Sequence, residues 1–221
     1  METLKSRLEG HFAACSAVAA AAALGAAAPS AEASIVYSGA VSISIPLTNA
    51  GVYLNFRTGV NNTSPAAVPG WDINPYSSGN LTLFNPGAPA GGAYVIGGGG
   101  AGLNPANLPA ATLINAASTY GPTSSNGTLQ TSGSFPFILN SSDNLIGIRF
   151  QDELDGNAIH YGWFRVQLSA GLNTLPRNIV EYAYEDQAGV GIPAGAVPGP
   201  GSLALLAVGA AGLATRRRAV A

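Results

Sequence analysis

From Ser34 to about Tyr184 the apolar residues recur with a period of two. Val41-Ser-Ile-Ser-Ile45 alternates strictly until Pro46 stops it. Val52-Tyr-Leu-Asn-Phe-Arg57 sets Val52, Leu54 and Phe56 on one face and Tyr53, Asn55 and Arg57 on the other. Such alternation over short runs, bounded by Gly, Pro and Asn, predicts strands buried on one side. Leu81–Phe84, Ala93–Ile96, Phe135–Leu139, Leu145–Gln151, Ile159–Leu168 and Asn178–Tyr184 read the same way. Within this body only Leu108 to Ser118 has the pattern of a short helix.

One hairpin is well marked. Leu145–Phe150 and Ile159–Leu168 flank Asp155-Gly156, a favoured turn dipeptide. Phe164, Val166 and Leu168 share a face with His160 and Gly162, and Ile146, Ile148 and Phe150 complete the expected core. Tyr161, Trp163, Arg165 and Gln167 point the other way. Asn61–Gly70 and Asn85–Pro109, rich in Gly, Pro, Ala and Asn, read as long loops. The expected fold class is all-β, a two-sheet antiparallel β-sandwich of jelly-roll type spanning 34–186.

The two ends follow different rules. In residues 1–33, Lys5 and Arg7 supply a positive head and an Ala-rich run extends from Gly10 to Ala31. Ala31-Glu32-Ala33 then gives the small-x-small pattern that precedes a signal-peptidase cut, here before Ser34. This predicts an N-terminal signal helix and an exported chain. Cys15 precedes most of the apolar run and does not mark a lipoprotein.

At the other end, 187–196 reads as a Gly/Pro/Ala linker. Val197-Pro198-Gly199-Pro200 follows, then a small and apolar stretch over about 201–215, closed by Arg216-Arg217-Arg218. The stretch is close to the roughly 17-residue lower limit of a single transmembrane helix. Three arginines at its end hold that end in the cytoplasm and leave the body outside. This tail, 197–221, resembles the PEP-CTERM sorting signal of bacterial surface proteins, which has a Val-Pro-Glu-Pro-like tetrad, a short membrane helix and a terminal arginine cluster. Gly199 stands where that family has glutamate. The resemblance implies processing by an exosortase, with signal peptidase acting at the other end. It also implies a Gram-negative host that makes exopolysaccharide, and a cell-surface or extracellular-matrix destination after a single-pass membrane intermediate. The segments 160–166 and 179–186 are similar to parts of ectodomains that carry such a tail.

Composition narrows the field. With 9 Lys+Arg against 11 Asp+Glu, a net charge of −2 and no basic block in the body, phosphate neutralisation has no footprint, so nucleic acid is not an expected partner. One cysteine excludes a disulfide framework, and two histidines do not make a histidine metal cluster. No cofactor or resident metal is expected.

Catalytic chemistry has few footholds. Only His160 survives signal cleavage, it lies mid-strand, and no G-x-S-x-G elbow occurs. Asp152-Glu153-Leu154-Asp155, with Glu181, Glu185 and Asp186, takes three readings: solvated turn charges, a carboxylate pair for glycoside hydrolysis, or oxygen ligands for Ca²⁺. Asp152 to Asn157 lacks the alternating pattern of a calcium loop. The aromatic set Tyr161, Trp163, Tyr182 and Tyr184 takes two. Tyr161 and Trp163 stack on sugar rings while Arg165 and Gln167 bind hydroxyls, or the long loops cover that face as a second core. The leading expectation is a non-enzymatic exported protein in an exopolysaccharide setting, with a glycan-binding module and a glycoside-active enzyme as alternatives.

Overall fold

The computed structural model describes residues 34–85, 87, 92–97, 103–122 and 124–199. The expected signal helix, with Ala31 and Ala33, lies outside the described residues. So do Pro200, the membrane helix and Arg216, Arg217 and Arg218. Among the described residues no helix is long and apolar enough to cross a membrane.

The described chain is all-β, with only two short 3₁₀ turns, Pro65–Ala67 and Glu153–Asp155. Its strands are β1 (Ile35–Tyr37), β2 (Ile43–Ser44), β3 (Tyr53–Leu54), β4 (Asn61–Asn62), β5 (Asn74–Tyr76), β6 (Thr82–Phe84) and β7 (Ala93–Tyr94). They continue with β8 (Leu113–Ile114), β9 (Asn126–Thr128), β10 (Ser141–Asp152), β11 (Ala158–Leu168), β12 (Asn178–Glu185) and β13 (Ile192–Pro193).

The larger sheet runs β1-β12-β11-β10-β7, and β2 joins the same edge of β12 as β1 further along. β10, β11 and β12 are consecutive and adjacent, a meander and not the interleaved Greek keys expected of a jelly roll. β5-β6-β9 form a second antiparallel sheet. The β3-β4 ribbon is tied to it where Leu54 bridges Ile73, with Val52 N–H donating to the Pro75 carbonyl at 3.0 Å.

The alternation read from sequence decides where the core lies. Ile146, Ile148 and Phe150 from β10 and Phe164, Val166 and Leu168 from β11 join Val52, Leu54, Phe56, Ile73, Leu81 and Leu83 in one cluster. That cluster draws on both sheets. On β12, Tyr182 and Tyr184 belong to it, and so does the odd-numbered Ile179. The phase changes because a bulge between Arg165 and Val166 skips Val180 on β12.

The outer face of the larger sheet carries a second cluster: Leu145, Tyr161, Trp163 and Ala183, under Val95, Leu108, Ile114, Ile192 and Ala194. The cover is the β8-β13 ribbon with its flanking segments. Gly147 lets it approach, since a Cβ there would lie 2.8 Å from Val95 and 2.9 Å from Leu108.

Three expectations are corrected. Leu108–Ser118 is not helical but turns and the strand β8, because Ile114 must meet Ile192 across the ribbon. Phe135–Leu139 is not a strand, its chain being diverted by Phe135 at φ 58°. The linker at 187–196 is not free, since β13 pairs with β8 and buries Ile192 and Ala194.

Candidate functional site

Charge gathers where β10 turns into β11. Asp152 ends β10, and its Oδ1 accepts from Leu154 N–H at 2.8 Å, capping the 3₁₀ turn. Gly156 at φ 62° and Asn157 at φ 64° then reverse the chain, so Asp155-Gly156 turns as expected. Asp152 is fully buried. Arg57, leaving β3, brings Nε to 3.1 Å from Asp152 Oδ2, within ion-pair distance but out of line for a hydrogen bond. The same guanidinium donates to Asp186 at 2.6 Å and to the Tyr184 hydroxyl at 3.0 Å.

Behind this pair sits Asp72, 1% exposed. Its Oδ2 accepts from Phe56 N–H at 2.8 Å, while Oδ1 has no hydrogen-bond partner. Burial pushes the Asp72 carboxyl well above the usual range, and the charges of Glu153 and Asp152 push it further. Glu153 is raised in the same direction, mainly by desolvation. It folds over Gly70 so closely that a Cβ there would stand 2.4 Å from its carboxyl carbon. Gly70, at φ 63°, meets both demands.

His160 is a packed strand residue. Its Nδ1 lies 2.8 Å from the Glu185 carbonyl and its Nε2 3.3 Å from Asp155 Oδ2, while its ring stacks on Phe150. Both nitrogens are engaged, neither by a hydroxyl, so a nucleophile-base pair does not form here. The carboxylates named from sequence separate. Asp152, Glu153, Asp155, Glu185 and Asp186 gather at this end, whereas Glu181 lies further along β12, binding Arg165 and the Tyr37 hydroxyl at 2.5 Å each. Asp152 is locked to Arg57 and a turn amide, which is not the stance of an acid facing a sugar. Among the described residues no group of three or more His, Cys, Asp or Glu is arranged to hold a metal ion.

The sugar-stacking platform is corrected as well. Trp163 is 0% exposed and Tyr161 is 5% exposed. The Trp163 Nε1–H donates to the Ala196 carbonyl at 3.0 Å, and Tyr161 stacks on Tyr120. Of the proposed ligand set, Arg165 is half-buried between Asp143 and Glu181, and Gln167 accepts from Asn178. Tyr182 and Tyr184 lie on the opposite face. Of the two readings of that face, a sugar platform or a second core under the loops, the structure shows the second core.

An open groove of about 480 Å³ lies at the edge of this cover, lined by Asn107, Leu108, Pro109, Phe135, Pro136, Ile138, Asp143 and Leu145. Two asparagines brace it, Asn107 in its lining and Asn144 outside it. Asn107 Nδ2 donates to the Pro136 carbonyl and its Oδ1 accepts from Leu145 N–H. The buried Asn144 accepts from Ile138 N–H at 2.7 Å and donates back to its carbonyl at 3.0 Å. They fix a loop that leaves Phe135 and Ile138 exposed. Sequence reasoning missed the groove because its walls come from segments read as a strand and a helix. Phe135, a bulky residue at positive φ, is not marked as such by its neighbours in the chain.

No protein-family model, no curated protein and no solved structure matches the chain.

Proposed function

We propose that the protein is an exported, non-enzymatic surface or matrix protein, its body a two-sheet antiparallel sandwich carrying an extra cover and presented on a processed membrane tail. The observation that carries this reading is the exposure of the chain where the sorting-like tetrad opens. Trp163 and the Pro193 carbonyl fasten residue 196, the first through its carbonyl and the second through its N–H at 3.0 Å. Val197, which opens the sorting-like tetrad, is 45% exposed. The tetrad thus opens at an exposed position, directly after a residue fastened to the second core. In this reading the body stands outside a Gram-negative cell in an exopolysaccharide setting.

The test is the intact mass of the protein recovered from its host's envelope and medium. Loss of residues 1–33 together with a cut near 197–202 is the expected result. A mass that retains Arg216 to Arg218 overturns the sorting reading and leaves a plain anchor.

A second reading, a glycan-binding module, is favoured by the groove rather than by Trp163. Phe135 and Asp143 both line it, an exposed ring and a carboxylate held by Arg165, which give an apolar surface and a polar group to a sugar. Phe135→Ala is expected to abolish retention on the host's own polysaccharide. Equal retention of variant and wild type removes this reading.

A further inference from the structure

The first strand of the body is fastened to the last long one through a carboxylate that lacks a cation. Ser34 N–H donates to Glu185 Oε1 at 2.8 Å, and Gln187 N–H donates to the same oxygen at 3.1 Å. The Ser34 carbonyl accepts from Asp186 N–H at 2.9 Å, so the ladder between β1 and β12 starts at this residue. Glu185 is 2% exposed, and no Lys, Arg or His among the described residues forms an ion pair with it. Arg57 is committed to Asp152 and Asp186, and His160 meets only the main-chain carbonyl of Glu185. A buried carboxylate held by amides alone is an undercompensated charge.

We propose that Glu185 is the binding site for the α-ammonium that cleavage between Ala33 and Ser34 creates on Ser34. The inference rests on the reading of that bond as the export cleavage site. Hydrolysis breaks the amide C–N bond and consumes one water, leaving a carboxylate on Ala33 and a protonated amine on Ser34. A single N–H donor at 2.8 Å then becomes a full positive charge with further donors, beside a carboxylate already in place. Processing thus supplies the missing cation, and β1 is locked onto β12 by the event that removes the leader. Capture of an N-terminal amine is a recognition mode proteins use between chains, and here it is intramolecular.

The charged and titratable groups around the pair are Tyr184 on β12, Asp186 just past its end, His160 on β11, Asp155 in the turn, Asp152 at the end of β10, and Arg57 after β3. All of them are retained in Glu185→Gln, so the difference between that variant and wild type reports on the amine. The carboxylate raises the amine's folded pKa above the roughly 7.7–8.0 of a free α-amine. The stabilisation is therefore full below about pH 7.7 and is lost as pH rises through the raised folded value.

The experiment uses the export-processed protein from its host, with its first residue fixed by intact mass and terminal sequencing. The α-amine is titrated by ¹⁵N NMR and thermal unfolding is followed over the same range. The expected result is a first residue of Ser34, an amine about one unit or more above the free value, and a midpoint that falls more steeply with pH in wild type than in Glu185→Gln. A form retaining Ala33 keeps Glu185 but displaces the amine by about 3.8 Å, and is expected to titrate as a free amine even if the Gln variant fails to fold. A Ser34 amine at the free value overturns the pairing and leaves export standing. A first residue other than Ser34 overturns both.

Discussion

Two buried ionic groups in this body meet opposite fates. Arg177, fully buried, forms no ion pair among the described residues but donates to five main-chain carbonyls: Ile45, Pro46, Ser77, Asn80 and Leu172, at 2.5 to 3.1 Å. Its whole guanidinium fork is used. Asp72 is buried as deeply, yet one of its oxygens is unpartnered and its nearest charges are the like-signed Glu153 and Asp152. The first charge is a structural pin that joins the β2 end, the turn after β5 and the approach to β12. The second serves one buried amide, Phe56 N–H, and leaves its other oxygen unpartnered. The difference teaches that burial alone does not say whether a charge holds a fold together, since the partners decide it.

Removing the pin is the largest test. Arg177→Met is expected to cost about 4 kcal/mol or more, because five main-chain carbonyls lose their donor at once. Arg177→Lys recovers only part of this, an ammonium having three donors where five carbonyls wait. Urea unfolding of both variants checks it. A Met variant within about 1 kcal/mol of wild type would mean that water replaces the fork, and the contrast with Asp72 would collapse.

Arg57 sits between the extremes and sharpens the comparison. It is the cation that reaches Asp152, and it is itself partly exposed. Arg57→Gln is expected to cost about 2 kcal/mol, between the value of a surface pair and that of a broken buried one. Chemical denaturation gives the number. A loss as large as that of Arg177→Met would show the acidic end to be as tightly determined as the pin.

These features differ in how far the chain announces them. The inner face of β10 and β11 was legible because Ile146, Ile148, Phe150, Phe164, Val166 and Leu168 alternate without interruption. The Asp155-Gly156 turn was legible for the same local reason. Asn74-Pro75-Tyr76 and Asn126-Gly127-Thr128 were not, since they are strands only by pairing with β6 from both sides. Residues 187–196 looked like a linker because Gly, Pro and Ala dominate, while one large side chain, Ile192, decides that they pack. Trp163 was read both as a binding platform and as core, because alternation names a face without naming what covers it. Arg177 and Asp72 carried no mark at all, being single charges in polar, Pro-rich surroundings where a surface residue looks the same.

The subtlest prediction concerns Asp72 itself. Its carboxyl is raised by burial first and by Glu153 and Asp152 next, against the opposing Phe56 N–H bond. A raised folded pKa means the folded state holds the proton longer than the unfolded chain does. Below the unfolded value of about 3.9 both states are protonated and nothing is lost, whereas stability falls as pH rises through the folded value. Asp72→Asn keeps an acceptor for Phe56 N–H and replaces the unpartnered oxygen by an uncharged amide donor. Near pH 4 the variant is expected to match wild type to within about 0.5 kcal/mol. Above that its advantage grows with pH. Unfolding midpoints of the two across this range make the check. Parallel curves would mean that Asp72 ionises without penalty in the fold, so that it is as well accommodated as Arg177 after all.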